Sequence, residues 1–157
     1  MTPILSGDPD ALAHIITCSC AIKASVVSAD EQESGERAIL NFGHTAGHAV
    51  EQAAGYGRYL HGEAVGIGMA YAARLSVLHQ GLPKSDADRI VRLIRAAGLP
   101  TAAPELAWPQ IRRAMSVDKK GSDGTPRFVL ARGIGAVVYG EPVPENYLEE
   151  AWHVGGE

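Results

Sequence analysis

Apolar residues recur at helical spacing along most of the chain, and the residues between these runs are those that start and stop helices. Asp8-Pro9 reads as a helix start, a capping carboxylate followed by proline at the first helical position. Leu12, Ile15, Ile16, Ile22, Val26 and Val27 follow at near-helical intervals, with Cys18 and Ala21 between them, and predict a helix that ends near Ser28. A second helix is expected to begin between Asn41 and Thr45 and to close at Gly55. A third should run from Glu63 to Gln80, stopped by Gly81 with Pro83 just beyond. Ser85 can cap a fourth, Asp86 to Ala97, whose apolar face is Ile90, Val91, Leu93 and Ile94, and Pro109 can open a fifth that reaches Val117. Phe128-Val129-Leu130 and Ala136-Val137-Val138-Tyr139, set apart by Gly133 and Gly135, read as a short strand pair. A last helix starts at Pro144-Glu145 and stops before Gly155. The pattern predicts a mainly α, multi-helix fold with one short β-strand pair near the C-terminus and no internal repeat.

Two stretches fall outside this pattern. Asp30-Glu31-Gln32-Glu33-Ser34-Gly35-Glu36-Arg37 reads, on composition, as a solvated connector, and Gly121-Ser122-Asp123-Gly124 as a loop. The 157 residues suit one domain and can bury about 70% of their unfolded surface. A 46% hydrophobic and 20% charged composition excludes a disordered chain, and a net charge of −4 argues against a nucleic-acid partner. Cys18 and Cys20 are too close for a normal disulfide and read as packing residues of an intracellular protein. Met1 to Asp8 carries neither a basic nor an apolar leader region, and no run of 18 uninterrupted apolar residues occurs, so a cytoplasmic chain without a membrane span is expected.

Candidate chemistry concentrates in one region. His44, His48 and His61 fall within 18 residues, and Gly43 to Gly68 holds seven of the 18 glycines. Glycine inside a helix costs about 1 kcal/mol against alanine, so Gly47, Gly66 and Gly68 imply either close helix–helix contact or close approach of a ligand to backbone. His44 and His48, four residues apart, share a helix face about 40° and about 6 Å apart, and Glu51 lies on that face too. The pair could hold zinc together, although Thr45 stands where a metalloprotease would carry its glutamate. His61, beside Glu63 and after a loop long enough to fold back, adds the donor that makes a catalytic-metal pattern. Around this cluster stand Lys23, Arg37, Asn41, Lys119 and Lys120. Arg37 can grip a carboxylate or phosphate in a fork, and Lys119-Lys120 suits a helix C-terminus.

The segments Leu40-Asn41-Phe42-Gly43-His44-Thr45-Ala46-Gly47-His48-Ala49-Val50-Glu51 and Leu60-His61-Gly62-Glu63-Ala64-Val65-Gly66-Ile67-Gly68-Met69 resemble the signature of the 3-dehydroquinate synthases. The flanks resemble that family too: Lys23-Ala24-Ser25-Val26-Val27, Asp30-Glu31, Glu33, Gly35 and Arg37 upstream, Gly98-Leu99-Pro100, Met115, Asp118-Lys119-Lys120 and Arg127-Phe128-Val129-Leu130 downstream. The resemblance runs from Ala11 to Val138 and covers the C-terminal, mainly helical half of a two-domain enzyme. It implies a lyase of the shikimate pathway, and hence of aromatic amino-acid biosynthesis. The family turns a seven-carbon keto-acid phosphate (DAHP) into 3-dehydroquinate and phosphate, with NAD and a zinc or cobalt ion. It implies His44 and His61 as metal ligands and His48 and Glu33 as acid–base residues. Lys23, Arg37, Asn41 and one of Lys119 or Lys120 would be contacts to the anionic sugar-phosphate acid. It also implies an N-terminal NAD-binding domain as partner and a homodimer in the full enzyme.

Where the family places its third metal ligand, a glutamate in an Ala-Glu-Val-Ile-Lys-type segment upstream of Leu12, no such segment is found, and no Gly-x-Gly-x-x-Gly dinucleotide motif occurs. The chain alone is therefore expected to fold as one C-terminal-type domain without catalysing. Related sugar-phosphate cyclases of the deoxy-inosose or valiolone type share this chemistry. A non-catalytic metal-binding domain that pairs with a separate NAD-binding chain is the alternative from another class. The Gly-His-Thr-x-Gly-His and His-Gly-Glu context argues against an iron-dependent alcohol dehydrogenase.

Overall fold

The computed structural model describes residues 1–31, 35–55, 57–117 and 126–154. Glu33, Lys119, Lys120 and the Gly121–Gly124 loop lie outside the described residues. The chain divides into two compact units, Met1–Leu40 and Asn41–Glu157.

The first unit holds α1 (Thr2–Leu5) and α2 (Pro9–Ala29). Helix α2 starts where the sequence places it: the Asp8 carboxylate accepts the Ala11 N–H at 2.8 Å and Pro9 occupies the first turn. None of its residues is buried, and Ile16 and Ile22 are 59% and 64% exposed. Cys18 and Cys20 are exposed as well, which corrects their reading as packing residues. The physical reason is supply: among the described residues of this unit, the four-residue α1 is the one α-helix that packs on the 21-residue α2. At a mean hydropathy of 1.5, α2 is long and apolar enough to cross a bilayer by length and composition alone. A search for uninterrupted apolar runs misses this, because Lys23 and scattered polar residues break the run. After α2 the chain is not a plain solvated connector. The buried Asp30 carboxylate accepts the N–H groups of Gly35 at 2.8 Å and Arg37 at 3.0 Å. A 3-10 helix follows, Glu36–Asn41, which periodicity did not reveal.

The second unit contains α3 (His44–Ala54), α4 (His61–Gln80), α5 (Lys84–Ala96), α6 (Trp108–Val117), strands β1 (Arg127–Gly133) and β2 (Ala136–Pro142), and α7 (Glu145–His153). The strands pair antiparallel, with Arg127 opposite Pro142 and Leu130 opposite Val138. Helix α4 is the axis of the unit, packing on α3, α5, β1 and α7. Ile67, Tyr71 and Leu75 of α4 meet Val50, Ile111, Met115, Leu130 and Leu148 in one fully buried core. Its few polar groups are satisfied: Tyr71 Oη donates to the Leu148 carbonyl at 2.9 Å, and Ser76 Oγ accepts the Ala131 N–H at 2.9 Å while donating to Ala72. Burial pushes the Tyr71 phenol far above its ordinary pKa.

The short α1 was not expected, α6 begins at Trp108 rather than Pro109, and the starts of α4 and α5 differ most from expectation. Helix α4 begins at His61 rather than Glu63, because the Glu63 carboxylate reaches back to the Leu60 N–H at 2.8 Å. Helix α5 begins at Lys84, after Pro83, so Ser85 is not its cap. Its buried residues are Ala87 and Ile94, whereas Leu93 is 62% exposed.

The glycines of α3 and α4 answer the sequence question in favour of helix–helix contact. A Cβ on Gly68 would lie 2.0 Å from the Gly43 carbonyl oxygen and 2.7 Å from the Gly47 nitrogen. One on Gly47 would lie 3.1 Å from Val65 Cα, and one on Gly66 3.2 Å from the Pro100 carbonyl oxygen. Gly43, at φ 85°, adopts a left-handed conformation just before α3, and its Cβ would strike Met69. Gly68→Ala should therefore cost about 3 kcal/mol and lower the melting temperature by about 6–12 °C, or prevent folding. Gly62→Ala, in the first turn of α4 with nothing near its Cβ, should gain about 0.5–1 kcal/mol. Thermal melts of both variants beside the parent check this, and equal stability of Gly68→Ala and the parent would contradict the crossing.

Candidate metal centre

Helices α3 and α4 present the three histidines to one another. His44 opens α3, His48 follows one turn later, and His61 opens α4. Their ring centroids form a near-equilateral triangle, 5.7 Å from His44 to His48, 5.6 Å from His44 to His61 and 5.8 Å from His48 to His61. Glu51, one turn beyond His48, meets His61 from the side: Nδ1 to Oε2 is 3.2 Å. One donor atom each from His48, Glu51 and His61 lies within 4.8 Å of the others.

The electrostatics keep this cluster ready for a cation. His44 is half-buried, and its Nδ1 is buried without a hydrogen-bond partner. Burial first, and then the neighbouring His48 ring, holds its pKa below the ordinary imidazole value, which favours the neutral, lone-pair-bearing form. A buried imidazole nitrogen with no partner, two further imidazoles and a carboxylate make a donor set of the kind zinc or cobalt takes. The residues present fit such an ion. The His61 side chain is 57% exposed and His48 is exposed as well, so the cluster opens to solvent.

The connection between α3 and α4 is pinned. Tyr59 Oη donates to Glu105 Oε1 at 2.6 Å, and Arg58 Nε lies 3.2 Å from the same oxygen. Burial and this bond raise the Tyr59 phenol to about 12, and the Tyr59 hydroxyl lowers the Glu105 carboxyl. Thr45 Oγ1 donates to the Arg127 carbonyl at 3.0 Å and fixes the start of α3 against β1.

Of the sequence candidates, His44, His48 and His61 are brought together within the second unit. Asn41 ends the 3-10 helix three residues before His44 and is exposed. Lys23 and Arg37 belong to the first unit. Lys23 is exposed on α2, and half-buried Arg37 donates from Nη1 to the Glu31 carbonyl at 3.4 Å. Sequence spacing paired Glu51 with His44, whereas the structure pairs it with His61. The Tyr59–Glu105 clamp went unseen because its partners are 46 residues apart.

Residues 1–121, a stretch that includes α2, match the family model described as 3-dehydroquinate synthase C-terminal. The 3-dehydroquinate synthase of Acidithiobacillus ferrooxidans is 53% identical over 145 residues, 92% of this chain and 40% of the relative. That of Halorhodospira halophila is 52% identical over 139 residues, 88% of this chain and 39% of the relative. The chain thus spans about 40% of the length of the curated relatives it matches. Among solved structures, a 2-deoxy-scyllo-inosose synthase in complex with carbaglucose-6-phosphate, NAD+ and Co2+ superposes with a TM-score of 0.81 at 27% identity, over 94% of this chain and 42% of that one. A 2-epi-5-epi-valiolone synthase from Streptomyces hygroscopicus with NAD+ and Zn2+ bound gives 0.78 at 28% identity, over 94% and 41%. A signature built on two helices that cross at glycine, a fold shared with metal-bound cyclases and a match over 121 residues place this chain in the 3-dehydroquinate synthase C-terminal family.

Proposed function

We propose that this chain is the metal- and substrate-binding part of a 3-dehydroquinate synthase, converting DAHP to 3-dehydroquinate and phosphate together with an NAD-binding N-terminal part, as a cytoplasmic homodimer of the shikimate pathway. The observation that carries this is the meeting of three imidazoles and Glu51 at the α3–α4 crossing, inside the segments that resemble the synthase signature. The relatives above 50% identity are named 3-dehydroquinate synthase, whereas the inosose and valiolone synthases are below 30%, which favours dehydroquinate over their carbocycles.

In this reading His44 and His61 hold the ion. The Glu51 carboxylate fixes the His61 ring through Nδ1 and makes it a better donor at its other nitrogen. When bound, the zinc or cobalt ion supplies Lewis acidity toward the substrate alcohol and carbonyl, and NAD supplies hydride exchange. His48, exposed beside the pair, carries protons to and from substrate with Glu33. Lys23, Arg37, Asn41 and one of Lys119 or Lys120 bind the carboxylate and phosphate of the substrate. A second reading rests on the 4.8 Å grouping of His48, Glu51 and His61, which would make those three the ligands.

Zinc binding to this chain assembled with the N-terminal part of the Acidithiobacillus relative separates the two. His44→Ala should abolish tight binding, Glu51→Gln should weaken it about 10–100-fold, and His48→Ala should leave it intact. Calorimetric titration reads all three, and loss of zinc from His48→Ala as complete as from His44→Ala would establish the second reading.

Arg37→Lys keeps the charge but loses the fork. In an enzyme assembled from this chain and the N-terminal part of the Acidithiobacillus relative, it should raise KM for DAHP about tenfold or more with the melting temperature unchanged. A large loss of thermal stability at unchanged KM would make Arg37 a structural residue.

The reading as a whole is tested by phosphate release from DAHP with NAD and zinc. The chain alone should be inactive, and addition of the N-terminal part should restore turnover that His48→Ala lowers about 10²–10⁴-fold. Turnover by the chain alone would show a dinucleotide site within these 157 residues.

A further inference from the structure

We infer that the groove between α4, α5 and the C-terminal end of α7 binds a small organic carboxylate with an apolar body. The groove encloses about 370 Å³, within the range of small-molecule sites. Val77 and Leu78 of α4, Val91 of α5 and Val154 at the end of α7 give it an apolar floor. Arg74, Lys84 and Arg95 stand around it against a single acid, Asp88, a formal excess of two positive charges. It shares no residue with the histidine cluster.

Two observations make these cations a receptor rather than ordinary surface charge. The first is the lack of counter-ions. Arg58 and Arg112 find Glu105 and Glu145 at 3.2 and 2.8 Å, but among the described residues no carboxylate pairs with Arg74, Lys84 or Arg95. Arg74 donates its Nε to the Ala151 carbonyl at 2.9 Å, and Arg95 its Nε to Thr101 Oγ1 at 3.1 Å. Each guanidinium thus spends its Nε on a neutral oxygen. The second is crowding of like charge. Arg74 is half-buried, and its pKa is pulled down to about 10, first by burial and then, against the opposing effect of Tyr71, by the charge of Arg95. A half-buried cation that faces a second cation and, among the described residues, no paired carboxylate is an arrangement an incoming carboxylate relieves. The guanidinium forks supply paired N–H donors for two oxygens. The valine and leucine floor would reject a bare hydrated anion and accept an aromatic or branched aliphatic body.

The probe is 3-phenylpropionate, titrated into the purified chain by calorimetry, with 3-phenylpropionamide and sulfate as controls. The carboxylate should bind one-to-one and raise the melting temperature. The amide, which keeps shape and loses charge, should bind about tenfold more weakly or worse, and sulfate should not compete. Arg74→Gln removes a bond to the end of α7 and can lower stability, so the exposed Arg95→Gln is the deciding variant: at least about tenfold weaker binding at an unchanged melting temperature. Val91→Asp, which puts a negative charge on the floor, should abolish binding. Equal affinity for acid and amide, full competition by sulfate, unchanged binding by Arg95→Gln, or no saturable binding at millimolar concentration would each overturn the inference.

Discussion

The approach of α3 to α4 is the constraint on which the site depends. Where the helices cross, main chain meets main chain, and only hydrogen atoms fit between Gly68 and the Gly43 carbonyl or the Gly47 amide. Side chains at these positions would hold the axes apart by a layer of methyl groups. The rings of His44 and His61 project from the two helix N-termini beside the crossing, so their 5.6 Å separation is set by the helix packing and not by any bond between them. The glycines that weaken each helix locally are what brings the donors within reach of one ion.

A second layer of interactions keeps the crossing where it is. Helix α4 is tied to β1 through Ser76 and to α7 through Tyr71, and the connection that leads into it is tied to the chain before α6 through the Tyr59–Glu105 bond. Each bond carries a polar group that would be costly to leave unmade in this interior or at its edge. The first unit contrasts with this. Its long helix buries none of its residues, and after α2 one acid, Asp30, gathers two backbone amides. The family match includes both units, while the chain accounts for about 40% of the relatives' length.

Helices were legible in the sequence wherever an apolar stripe was bounded by a cap. Asp8-Pro9 and Gly81 mark real ends of α2 and α4. Ser85 did not cap α5, because the helix already begins at Lys84 with Pro83 as its N-cap, which puts Ser85 inside the first turn. The exposure of Cys18, Cys20 and Leu93 was not legible, because periodicity says which residues share a face and not whether anything covers it. The histidine cluster was visible as spacing on α3 plus a third donor after a loop. The Glu51–His61 pair depends on the angle at which α3 and α4 cross, which no local pattern encodes. The charged groove by α5 was hidden for the same reason, since Arg74 and Arg95 are 21 residues apart and meet only through tertiary packing.

The clustering of these side chains in sequence has a kinetic meaning. His44, His48, Glu51 and His61 lie within 18 consecutive residues, on two helices joined by the short stretch Gly55 to Leu60. Closing so short a loop costs little chain entropy, and helical hairpins are among the quickest arrangements a polypeptide finds. A donor from upstream of Leu12, where the family resemblance puts a glutamate, would have to cross more than 30 residues of chain to join them. The imidazole side of the site is thus a product of low contact order, able to assemble as one nucleus, and a metal captured there would reward native pairing at the start of folding rather than at its end.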